Sequence, residues 1–216
     1  LLESTTIPHP ALEALFTIDE ETGMTGAMGL KGGVLKGDIL LNLDTEEDDE
    51  IGVGCAGGVD ITASRTYQEE AVATGKTGFK LTVNGLQGGH SGMDIIKGLG
   101  NANKFMNRFL LDGFENYGLQ IAEINGGGLR NAIPRESVAV FCIDEIHTEA
   151  FKADIAEFTE TLKEEYKTLE PNLKVTLEEA PLPEKVMNLG VQEGLLKALQ
   201  AAWNGVYRMS PDIEGL

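Results

Sequence analysis

Positive charge is scarce in this 216-residue chain: 17 Lys and Arg stand against 35 Asp and Glu, for a formal net charge of −18. Nucleic acid and anionic membrane surfaces are excluded as partners, because phosphate binding requires a basic face. Cysteine is scarcer still. Cys55 and Cys142 are the two present and they form no CxxC pair, so both are expected to be reduced, small core residues in a cytoplasmic protein. Long apolar runs are missing too: none approaches the roughly 20 residues that span a bilayer. No secretory leader is legible. The first residue is Leu rather than Met, and Leu1-Leu2-Glu3-Ser4 reads as the end of a helix already under way. The expectation is a piece of a longer chain.

What is present is the composition of a globular protein, 42% apolar and 24% charged, in a length that fits one large domain or a small one with part of another. Residues 14–19 and 38–43 are short apolar runs of strand type, each leading into an acid. Continuous apolar strands point to a sheet covered on both faces, usually parallel. Between them Gly23-Met24-Thr25-Gly26-Ala27 and Lys31-Gly32-Gly33 frame a short helix or turn. The first 60 residues therefore read as part of an α/β layer.

The pattern changes near Gly57-Gly58. Residues 60–68 and 77–84 alternate apolar with polar, as an antiparallel pair does. Residues 94–112 repeat apolar positions at helical spacing, 119–124 and 138–143 read as strands, 149–169 as a helix stopped by Pro171, 174–178 as a strand and 192–203 as a helix. Strand, helix, strand, strand, helix, strand is the ferredoxin-like order, an antiparallel sheet with helices on one face. The expected fold is mixed α/β: a partial catalytic α/β sheet over 1–60, a ferredoxin-like domain over 61–210, and a return towards the first domain at 211–216.

Chemistry concentrates in Thr17-Ile18-Asp19-Glu20-Glu21-Thr22-Gly23-Met24-Thr25-Gly26. Adjacent carboxylates leaving a strand into a glycine-bounded turn point in different directions. One can bind a metal while the other serves as a general base; the same spacing also fits a solvated acidic turn. Asp44 closes the next apolar run and opens Asp44-Thr45-Glu46-Glu47-Asp48-Asp49-Glu50, six carboxylates in seven positions. Asp44 parallels Glu20 and Glu21; the acids after it read as an exposed loop. Of three histidines, His9 and His147 read as surface residues. His90 stands in Gly88-Gly89-His90-Ser91-Gly92, directly after a strand, where it can polarise a carbonyl or serve structure alone. A second glycine loop, Gly126-Gly127-Gly128-Leu129-Arg130-Asn131-Ala132-Ile133-Pro134, lacks the strand–GxxxxGK[ST]–helix context of a phosphate loop. Its Arg130 and Asn131 are candidates for a carboxylate or peptide group.

In this order, Asp-Glu-Glu-Thr-Gly, Leu-Asn-Leu-Asp-Thr-Glu-Glu with Gly-Cys-Ala-Gly-Gly, Gly-Gly-His-Ser-Gly and Arg-Asn-Ala-Ile-Pro-Arg-Glu resemble the aminoacyl-histidine dipeptidases, co-catalytic zinc peptidases akin to carnosinases. The likeness runs over nearly the whole chain. It implies hydrolysis of dipeptides, preferably Xaa-His, at two zinc ions, with cobalt or manganese as possible replacements. By the resemblance Glu20 is the base that activates the bridging water, and Glu21 and Asp44 are carboxylate ligands, one to each zinc. His90 is the lid histidine approaching the scissile carbonyl, and Asn131 a lid residue that holds substrate. It also implies a homodimer formed through the lid domain.

Two departures accompany it. The family's remaining metal ligands are absent, so the chain alone is expected to be inactive. Asp144 stands where relatives place an arginine for the substrate carboxylate, which leaves Arg130 or Arg135 as a substitute. A related deacylase or tripeptidase, and a non-catalytic dimerisation module, are the competing readings.

Overall fold

The computed structural model describes residues 2–21, 23–44, 49, 51, 52, 54 and 57–213. Thr22, most of the acidic run after Asp44, and Cys55 lie outside the described residues. The chain divides into two compact units, Leu1–Gly58 and Val59–Leu216.

In the first unit the regular element among the described residues is a single helical turn, α1 (Thr25–Met28). The strands expected at 14–19 and 38–43 are not formed. Ile39, Leu40, Leu41 and Leu43 stay exposed. A strand is held by the ladder bonds and packed faces of its neighbours, and a lone apolar run has neither. Leu2 and Glu3 make a turn rather than a helix end. What order there is comes from local bonds, such as the Glu13 carboxylate accepting from Lys36 N–H at 2.7 Å and Gly37 N–H at 2.8 Å.

The second unit is built on four antiparallel strands in the order β3-β4-β2-β5: β2 (Lys76–Asn84), β3 (Gln120–Gly126), β4 (Ser137–Asp144) and β5 (Lys174–Glu179). This is the ferredoxin-like arrangement. Alternation along β2 turns Phe79, Leu81 and Val83 to one face, where they join Ala139, Phe141 and Ile143 of β4. Helices α2 (Ala102–Tyr117) and α3 (Thr148–Glu165) cover that face with Phe105, Met106, Phe109, Leu110, Phe151, Ile155 and Leu162. Phe79 and Phe141 stack at 6.2 Å and Phe151 meets Phe141 edge-on at 5.7 Å. Each fully buried side chain of this size contributes about 1.5–3 kcal/mol, so this layer is the core.

A two-stranded ribbon pairs β1 (Glu69–Ala71) with β6 (Lys185–Met187), and α4 (Leu189–Ala201) packs on α2. The strand expected at 60–68 is thus displaced to 69–71. Asn101 and Asn188 cap α2 and α4, each side chain accepting two N–H groups of the first turn. Buried Gln192 of α4 accepts from Ile121 N–H at 2.7 Å and donates to Leu119 C=O at 2.8 Å. It thereby satisfies the backbone where a bulge interrupts β3. No helix among the described residues is long and apolar enough to cross a membrane.

Candidate active-site loops

In the first unit Glu20 and Glu21 ride a turn that closes on itself. Asp19 sits at φ 61°, outside the range that side chains favour, and its carbonyl accepts from Gly23 N–H at 3.2 Å and Met24 N–H at 2.5 Å. Thr25 Oγ1 donates to the Asp19 carboxylate at 2.9 Å, and Gly26 N–H to Ile18 C=O at 3.2 Å. A Cβ on Gly26 would fall 2.5 Å from Ile18 N, so the turn needs glycine there. Glu20 and Glu21 are both exposed on it. Asp44 is exposed as well, its N–H donating to Asn42 Oδ1 at 3.1 Å. Among the described residues no three His, Cys, Asp or Glu side chains stand together as a metal site would require. A catalytic zinc takes three protein ligands, so Glu21 and Asp44 do not by themselves complete one.

In the second unit the two glycine loops singled out in the sequence come together. Residues His90 and Ala132 form an antiparallel bridge. Ser91 N–H donates to Asn131 C=O at 2.8 Å, and Ile133 N–H to Gly89 C=O at 2.8 Å. His90 and Asn131 are both exposed on the joined loops, with Ala132 opposite His90 and Asn131 opposite Ser91. Gly88 is required where it stands: at φ 68° its Cβ would meet Arg135 Cγ at 2.3 Å.

The His90 imidazole is oriented by backbone. Its Nδ1 accepts from Gly92 N–H at 3.0 Å and from Met93 N–H at 3.1 Å. A ring nitrogen that accepts carries no proton, so the neutral ring keeps its proton on Nε2. Asp94 accepts from His90 N–H at 2.7 Å and pairs with Lys97 at 2.6 Å. Those two bonds, Lys97 first, hold the Asp94 carboxyl below its usual range. Both ends of the loop are tied to Glu170, 2% exposed, whose carboxylate accepts from Gln87 N–H at 2.8 Å and Gly100 N–H at 2.7 Å.

Arg130 faces Asp60, with an N–O distance of 2.7 Å in an exposed pair. Asp144 has a structural partner: Lys76 Nζ lies 2.8 Å from its carboxylate and donates to Gly118 C=O at 2.8 Å. Gly118, at φ 61°, leaves room for that carboxylate, which a Cβ would meet at 2.4 Å. His147 is half-buried with its ring against Tyr117 at 5.9 Å, correcting its reading as a surface residue. Cys142 is a free, buried thiol as expected, and burial pushes its pKa up. A groove of about 730 Å³ runs along the open face of the sheet past Val138, Val140 and Arg135, and none of His90, Arg130 and Asn131 lines it.

Sequence reasoning missed Asp94 and Glu170. The signal for Asp94 was its place four residues after a glycine-flanked histidine. Glu170 left none, because its partners lie 83 and 70 positions away.

Known proteins show what the chain is similar to. Residues 74–170, within the ferredoxin-like unit, match the model of the peptidase dimerisation domain. The particular relatives are dipeptidases. The chain is 41% identical over all 216 residues to the cytosol non-specific dipeptidase of Escherichia coli (strain K12), covering 44% of that protein. It is 42% identical to the crystal structure of aminoacylhistidine dipeptidase from Vibrio alginolyticus, with a TM-score of 0.76 over 93% of this chain and 41% of the other. The resemblance to aminoacyl-histidine dipeptidase therefore holds along 93% of the chain, which spans less than half the length of either relative.

Proposed function

We propose that this chain works as part of a metal-dependent cytoplasmic dipeptidase, hydrolysing dipeptides with Xaa-His among its preferred substrates. The observation that carries the reading is the His90 loop: a histidine whose Nδ1 is tied to backbone, so that Nε2–H is offered to a ligand. Such a donor suits a carbonyl oxygen that gains charge as the peptide bond is attacked. Asn131 on the facing loop can hold the peptide group, and Arg130, paired with exposed Asp60, is free to exchange that partner for a substrate carboxylate.

Glu20 would take the proton from the attacking water and return it to the leaving amine. Glu21 and Asp44 would be two carboxylate ligands to zinc, their remaining partners lying outside the described residues. Zinc, when bound, supplies a water acidic enough to attack at neutral pH. Residues 1–60 would then belong to the catalytic domain and 61–210 to the lid, with 211–216 leading back. The lid would join two copies into a homodimer, as the name of the matching domain suits.

The test is release of histidine from β-alanyl-histidine and glycyl-histidine, with and without a chelator. This chain is assayed beside a polypeptide extended to the length of its relatives. Chelator-sensitive cleavage by the longer polypeptide and none by the 216-residue chain is the expected result. Cleavage that ignores the chelator would remove the metal dependence, and none by either polypeptide would remove the dipeptidase reading.

A further inference from the structure

We propose that Asp94 is a positioning residue that fixes the ring tautomer and aim of His90; its bearing on catalysis rests on the reading of His90 given above. The loop 89–94 is a closed knot. Asp94 Oδ2 accepts from His90 N–H at 2.7 Å while Asp94 N–H returns a bond to His90 C=O at 3.0 Å. Lys97 Nζ, 2.6 Å from Oδ1, holds the carboxylate from its other side. Gly89 makes room for it, since a Cβ there would lie 2.8 Å from Asp94 Cβ and Oδ2.

The residues this knot brings round, Gly92 and Met93, are the ones whose N–H groups meet His90 Nδ1. A backbone N–H can only donate, so Nδ1 must accept and Nε2 must carry the proton. His90 Nε2 makes no hydrogen bond among the described residues. Its proton is thus reserved for an incoming acceptor, and Asp94 sets this up by holding in place the backbone whose N–H groups meet the ring. His9 shows the contrast: with no such knot, its Nδ1 lies 2.7 Å from the Pro10 carbonyl and must donate to it. The two exposed histidines are therefore held in opposite tautomers by opposite backbone partners.

Ring nitrogen NMR of the 216-residue chain reads this directly, because it contains three histidines. In the unsubstituted chain at a pH where the ring is neutral, His90 is expected to show an unprotonated Nδ1 and a protonated Nε2. Asp94→Ala should convert this into an average of both tautomers, leaving His147 unchanged. Asp94→Asn, whose amide oxygen still accepts from His90 N–H, should restore the original pattern. A protonated Nδ1 in the unsubstituted chain, or an unchanged pattern in Asp94→Ala, overturns the proposal. Should Asp94→Ala not fold, the unsubstituted chain and Asp94→Asn still decide.

In a polypeptide of the relatives' length, Asp94→Ala should lower kcat roughly 10- to 100-fold with KM little changed, as expected for a misaimed group that acts in the transition state. If the tautomers behave as described but His90→Gln leaves turnover intact there, Asp94 keeps its role and the catalytic reading of His90 is what fails.

Discussion

Leu40 and Leu81 both sit in the middle of short apolar runs, yet Leu40 is 78% exposed and Leu81 is fully buried. The difference lies in what flanks them. Leu81 pairs with Ala139 on one side and Leu177 on the other, and α2 and α3 cover its face. Leu40 has no ladder partner and no layer above it. An apolar run thus states a need for neighbours, and among the described residues only the second unit meets that need. The same division runs through the chemistry. His90 and Asn131 are held by bonds internal to their unit, whereas Glu21 and Asp44 stand exposed with no complete ligand set among the described residues.

The strongest way to break the comparison is to open the core of the second unit. Phe141 touches the rings of Phe79 and Phe151, and Phe141→Ala should cost about 3–5 kcal/mol through lost burial and the cavity left behind. Urea unfolding followed by far-ultraviolet circular dichroism measures this. A loss as small as that of a surface substitution would mean that the sheet and helices do not share one core.

A smaller effect sharpens the account of the His90 loop. Glu170→Gln keeps the size of the side chain but turns one carboxylate oxygen into an amide donor facing a backbone N–H. That leaves either the part-buried N–H of Gln87 or the buried N–H of Gly100 unpaired, at a cost of about 1–3 kcal/mol at the buried one. The same unfolding measurement applies. No change would show that the carboxylate does not hold the base of this loop.

Much of the second unit was legible in the sequence because its elements obey simple periods. Strands β2 to β5 and helices α2 to α4 all fall at or near their expected positions, with boundaries shifted by a few residues; α2 begins later, after a short 3₁₀ turn at Ile95–Lys97. The β1–β6 ribbon was not legible. Glu69, Glu70 and Ala71 are exposed and carry no alternating pattern; backbone pairing with Lys185–Met187 makes them a strand. In the first unit the apolar runs were read correctly as apolar, but their pairing depends on strands that this sequence does not provide among its described residues. At the site, the glycine-flanked His90 and the Arg130-Asn131 pair stood out as motifs. Their meeting did not, because the bridge from His90 to Ala132 joins backbone atoms that side-chain type does not reveal.

Amide hydrogen exchange on the 216-residue chain tests the division between the two units most directly. Amides of Phe79, Leu81, Ala139 and Phe141 should open only with free energies near that of global unfolding, while those of Ile39 to Leu43 should exchange close to the rate of an unfolded chain. Protection of Ile39 to Leu43 equal to that of β4 would contradict it, since the first unit would then have found its neighbours within this chain.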